Sequence, residues 1–137
     1  MGYSEIERKE HASLGAAMTA TGVKQQIGFK RACTVLGFGV LTTSAQATPT
    51  VQPIFQLRLN TTVKATLTMV AGNAAANKVS EVSALQKSIA PVAPNANMDP
   101  FDVVEGDIVD INVSTAEAAT TPANWILYVL LAQKGSL

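Results

Sequence analysis

The chain has 137 residues, 47% of them hydrophobic and 15% charged, and its formal net charge is zero. That length fits one domain with a core of its own, and the composition excludes a disordered chain. Charged residues fall well below the usual fraction of about 25%, so much of the surface is neutral, and large neutral patches tend to be contact sites. The few charges are unevenly spread. Residues 1–70 carry Arg8, Lys9, Lys24, Lys30, Arg31, Arg58 and Lys64 against Glu5, Glu7 and Glu10, whereas residues 71–137 carry Lys78, Lys87 and Lys134 against Glu81, Asp99, Asp102, Glu105, Asp107, Asp110 and Glu117. Such asymmetry can orient a protein against a charged neighbour or a copy of itself; the alternative is ordinary scatter. Cys33 stands alone, so no internal disulfide forms. The N-terminus is charged where a signal peptide has an apolar core, and no apolar run approaches the roughly 18 residues of a membrane span. The expectation is synthesis in a cytosol, with no membrane as partner. Asn60-Thr61-Thr62 and Asn112-Val113-Ser114 match the glycosylation pattern, and without a secretion signal both read as chance.

Residues 1–31 differ from the rest. Ser4 and Glu7 fit a capping box, and Glu5 and Lys9 stand at i and i+4. They predict a short helix near residues 5–13, but Ile6 and Leu14 are its only large apolar residues. From Ala12 to Gly28 small residues, Thr and Gly dominate. The segment reads as an extended or partly helical arm, either mobile or ordered by contact with a partner.

From Arg31 to Leu41 a strand is expected, with Gly37 and Gly39 inside it, where another backbone or a large ring must pack close by. Residues 42–53 read as a loop. In Phe55–Met69, Phe55, Leu57 and Leu59 alternate with polar residues, then Val63, Ala65, Leu67 and Met69 do the same, the two runs separated by a turn-forming segment. That is an antiparallel hairpin. Residues 71–78 are turn and loop. Val79–Leu85 and Ser88–Val92 predict short strands, and residues 93–100 a turn-rich crossing. Glu105-Gly106-Asp107 is a turn, with Gly106 suited to positive φ. It leads into a strand with Val109, Ile111 and Val113 inward and Asp110, Asn112 and Ser114 outward. Residues 115–124 read as a polar loop. Trp125–Leu131 is apolar on both faces, so it must be covered on both sides or lie within a sheet. Seven or eight strands with regular turn signals and no long helical pattern argue for an all-β antiparallel sandwich or barrel.

Reaction chemistry is hard to assemble from these residues. His11, the only histidine, lies in the arm and has no rigid scaffold to hold it as a base. Cys33, within a strand pattern, reads as a small hydrophobe and not a nucleophile. One His and one Cys do not make a nitrogen/sulfur metal site. Asp99, Asp102, Glu105, Asp107 and Asp110 could hold a hard cation such as Ca²⁺ or form a solvated rim or contact face. No phosphate-binding loop is present: Gly37-Phe38-Gly39 precedes no helix. Lys24, Lys30 and Arg31 form only a thin basic cluster without interleaved aromatics, which argues against nucleic acid. Trp125 and Tyr128 are either core aromatics or ligand-stacking rings. The expectation is no enzyme, no metal and no cofactor.

The run P-x-I-F-Q-L-R-L-N-T-T-V-K-A-T-L, the later V-V-E-G-D-I-V-D-I-N-V-S-T-A and the closing N-W-I-L-Y-V-L-L resemble small jelly-roll domains of tailed-bacteriophage virion proteins. The matching positions are Asn60, Thr61 and Val63–Leu67, then Gly106, Asp107 and Ile108, then Trp125–Leu131; the similarity covers roughly residues 32–132. Thr61 stands where glycine is usual. The resemblance implies a jelly-roll-like β-sandwich over residues 32–137 behind a contact arm, 1–31. It further implies a non-enzymatic capsid decoration or cement subunit on the outer surface of the virion. Such a subunit clamps adjacent major capsid proteins and assembles as a homodimer or homotrimer. Expected contact residues are Ile6, Arg8, Lys9, Leu14 and Lys24 in the arm, with Lys30 and Arg31 at the start of the first strand. The alternative is a glycan-binding sandwich of a tail or host-attachment protein, using Trp125 or Tyr128 beside Asp99–Asp107.

Overall fold

The computed structural model describes residues 6–10, 17–44, 46–70, 78–85, 91 and 93–133. Among them are twelve strands: β1 (Ile6–Glu10), β2 (Gly22–Gly28), β3 (Cys33–Ser44), β4 (Ala47–Val51), β5 (Ile54–Leu59), β6 (Thr62–Thr68), β7 (Lys78–Ser83), β8 (Ala96–Asn97), β9 (Phe101–Val103), β10 (Ile108–Thr115), β11 (Ala118–Thr121) and β12 (Asn124–Gln133). One sheet has the order β1-β12-β3-β7-β8, the other β2-β10-β5-β6, and β4 and β11 form a separate ribbon.

The pairing is nested. β1 pairs with β12, β2 with β10, β3 with β7 and β5 with β6, all antiparallel. Each pair lies inside the previous one in sequence, as in one long hairpin rolled up. β12 then joins β3 and β10 joins β5. This winding into two layers, a six-stranded sheet in which β9 also pairs with β3 and a four-stranded one, is the jelly-roll arrangement, so the expected fold class is the one the chain adopts. The period-two residues account for the core. Phe55, Leu57, Leu67, Val109, Ile111 and Val113 of one sheet meet Val35, Phe38, Val40, Trp125, Leu127 and Val129 of the other. The Trp125 ring stands edge-on to Phe55, with centroids 5.6 Å apart.

β12 lies between β1 and β3, as its two apolar faces require. On its outer face Tyr128, Leu130 and Ala132 form a second buried cluster with Leu36 of β3. The glycines of β3 fit here: Tyr128 packs over Gly39 and Ser83 over Gly37, with no room for a Cβ at either.

Several expectations are corrected. Residues 6–10 are a strand and not a helix. A stripe as thin as Ile6 and Leu14 gives a helix little to bury, whereas the open edge of β12 supplies main-chain partners for all of β1. Leu14 and His11 lie outside the described residues. Within the expected 1–31 arm, β1 and β2 are the marginal strands of the two sheets. The supposed loops 42–53 and 115–124 contain β4 and β11, held to each other at Ala118–Val51 and Thr121–Ala47. The 93–100 crossing contains β8, parallel to β7. Most of the expected strand at 88–92 lies outside the described residues.

Candidate contact site at one end of the sandwich

Three turns close the end of the sandwich that includes the β2–β3 connection, and backbone and side chain lock them together. Phe29, just after β2, donates its N–H to the carbonyl of Asp107 and accepts from the N–H of Gly106, at 3.3 and 3.0 Å. Gly106 has φ +93°, the positive value its turn needs. The Asp107 carboxylate accepts from the Val104 N–H and from Nδ2 of Asn60, each at 2.9 Å, and Oδ1 of Asn60 accepts from the Ile108 N–H at 2.9 Å. These hydrogen bonds, led by the one from Val104, hold the Asp107 carboxyl below its ordinary pKa.

Between the sheets at this end opens a cleft of about 420 Å³. Ile27 and Phe29 wall it from one sheet, Cys33 and Leu131 from the other, and Lys30 and Arg31 stand at its rim. Both cations are exposed, and neither meets a carboxylate among the described residues. Nearby, Val104 is 57% and Ile108 41% exposed. The arrangement offers an apolar slot beside two exposed positive charges on a rigid frame. It suits an apolar side chain with acidic neighbours.

The predicted contact residues divide. Lys30 and Arg31 frame the cleft. Ile6 stands in register with Ala132, and β1 runs from there along β12 past Leu130 and Val129, opposite Arg8 and Lys9. The start of β1 is therefore beside Leu131 and the cleft. Lys24 is elsewhere, at a bulge of β2 where the register with β10 skips a residue. The sequence reading missed Ile27, Phe29, Leu131 and the cleft itself. The apolar pair Ile27 and Phe29, spaced by two just before Lys30, is the one signal that could have pointed there.

Comparison with known proteins returns no match: no family model, curated sequence or solved structure is similar to this chain.

The other candidates disperse. Among the described residues no group of three or more acidic, His or Cys side chains is placed to hold a metal ion. Asp110 is buried under Arg58 in a two-pronged ion pair of 2.7 and 3.0 Å. The hydrogen bonds that Arg58 donates to Asp110 raise the Arg58 pKa above its usual value. Asp102 accepts from the Thr34 hydroxyl at 2.9 Å. Cys33 is a buried thiol. Trp125 and Tyr128 are 1% and 2% exposed, so neither ring can stack on a ligand. The Trp125 indole N–H bonds Glu117 and the Tyr128 hydroxyl bonds Glu81. No helix among the described residues is long and apolar enough to cross a membrane.

Proposed function

We propose that this chain is a non-enzymatic virion structural protein, a capsid decoration or cement subunit on the outer surface of a tailed-phage shell. The observation that carries the reading is the cleft beneath Lys30 and Arg31, on a rigid end next to the start of β1. A docking protein needs a rigid apolar pocket with charges that set orientation, and this end of the sandwich supplies both.

In this mechanism an apolar side chain of a major capsid protein enters the cleft, and acidic neighbours meet the two cations. Filling such a slot contributes about 1.5–3 kcal/mol per large side chain. That is modest for one copy, and a dimer or trimer bound across a seam multiplies it through effective concentration. Sheet-edge pairing contributes little, because both edges of the β2–β6 sheet carry a bulged lysine, Lys24 or Lys64. The chain is made in the host cytoplasm and adds to the assembled shell.

The test is co-sedimentation of the pure protein with shells of the phage that encodes it, in wild-type form and as the double variant Lys30→Glu, Arg31→Glu. Wild type should saturate the shells at a fixed ratio, and the variant should bind at least about tenfold more weakly. Absence of any wild-type binding refutes the assignment. Removing the N-terminal segment is a poorer test, because it also uncovers β12.

A further inference from the structure

β3 needs a continuous partner on the side away from β12, and it has a split one. β7 covers Gly37 to Thr42 and β9 covers Cys33 to Val35. Between them in sequence β8 lies parallel to the end of β7, held by the Met98 N–H on the Ser83 carbonyl at 3.4 Å and by Oδ1 of Asn95 accepting from the Glu81 N–H at 2.8 Å. The chain over residues 96–101 does not press flat onto the sandwich. It walls a pocket of about 380 Å³ against β6, at the opposite margin from β1 and β2.

The chemistry of this pocket differs from that of the cleft. Its floor is Val82 and Met98, both buried. The half-buried Phe101 ring, packed against the core, forms one wall. Around them stand Asn97, Thr66, Asp99 and Lys64, whose Nζ lies over the Phe101 ring, 5.5 Å from its centre. Asn97 and Thr66 each supply a donor and an acceptor, Asp99 acceptors and Lys64 donors. The single positive and single negative charge balance. The volume is at the lower end of the range of small-molecule sites.

We propose that this pocket binds a neutral saccharide of one or two rings. A pyranose presents one face of C–H groups, which suits the electron-rich Phe101 ring once the exposed Lys64 side chain that lies over it swings aside, and a rim of hydroxyls that each donate and accept. A site with an aromatic wall, mixed donors and acceptors and no net charge matches both requirements. An anionic ligand would gain from Lys64 and lose against Asp99. A purely apolar ligand would strand the polar rim. The saccharide site lies away from the cleft and does not depend on the capsid reading, so a sugar-binding failure leaves that reading untouched.

The test is NMR titration of the full chain with methyl glucoside, methyl galactoside, methyl mannoside, N-acetylglucosamine and lactose, with sialyllactose as the anionic control. Saturable shifts of residues 64–66 and 96–101 are expected with at least one neutral sugar. Both Phe101→Ala and Asn97→Ala should weaken that binding by at least about tenfold. Asn97 is exposed, so its variant decides the matter even if loss of Phe101 disturbs the fold. No saturable shift with any neutral sugar, shifts with sialyllactose alone, or binding that survives Asn97→Ala would each overturn the proposal.

Discussion

Thr61 turns the β5–β6 hairpin with φ +71°, next to Asn60 at φ +48°. Two positive φ values in a two-residue loop make the mirror-image turn that matches strand twist. Asn tolerates that region, but a β-branched residue there carries a cost of about 1–2 kcal/mol. Thr61→Gly should therefore raise stability by roughly 1 kcal/mol after the extra unfolded-state entropy of glycine is counted, read as a higher urea midpoint with unchanged m-value. Gly39 has the opposite character. A Cβ there would run into the Tyr128 ring and the Ser80 carbonyl, so Gly39→Ala should cost about 3 kcal/mol, at the upper end of overpacking effects. Gly28, with open space around it, is the control that should change little. Asp107 gives a pH dependence. Its folded pKa is lowered from 3.8, so its contribution is complete above that value and is lost as pH falls through the lowered folded pKa. Asp107→Asn should flatten the acid limb of the stability curve in this window.

At the scale of the strand, the two margins of the β2–β6 sheet are protected in the same way. Lys24 sits where the β2–β10 register skips a residue, and Lys64 where the β5–β6 register does. A bulge twists the edge and a charge opposes an incoming strand, and both discourage edge-to-edge association. Replacing both with threonine should leave the melting temperature within a few degrees and produce concentration-dependent self-association, visible by light scattering. A variant that stays monodisperse at high concentration would show that these lysines do not guard the edges. The ribbon of β4 and β11 is held differently. Buried Glu117 accepts from the Met18 N–H at 3.3 Å, from Nε2 of Gln46 at 2.9 Å and from the Trp125 indole at 3.1 Å. It ties the ribbon end of the sandwich to the core.

For the whole molecule, the nested winding makes the outermost pair decisive. β1 closes β12 at the cost of joining residues near opposite ends of the described chain. Deleting residues 1–10 would leave a long apolar strand with an open edge, so the truncated protein should be less stable and should aggregate on heating, as calorimetry and turbidity would show. The same long-range pairing implies slow refolding, in the range of milliseconds to seconds typical of β-sandwiches.

Alternation along Phe55–Leu59, Val63–Leu67 and Val109–Val113, the two-faced run Trp125–Leu131 and the turn at Gly106 were legible in the sequence by themselves, because side-chain period and positive φ are local properties. They determined an all-β chain, most of the inward and outward faces of its strands and the central place of β12, but not the bulge at Lys64, which turns Val63 to the outer face opposite Arg58, where it is exposed. The fate of residues 6–10 was not legible. Their capping pattern is a weak local preference, and the main-chain hydrogen bonds offered by β12, distant in sequence, override it. Nor was the grouping of Lys30 and Arg31 with Leu131, of Phe101 with Thr66 and Asn97, or of Glu117 with Trp125 and Met18. Those neighbours are set by how the nested hairpin rolls up, and only the packed tertiary structure decides which distant side chains share a cleft.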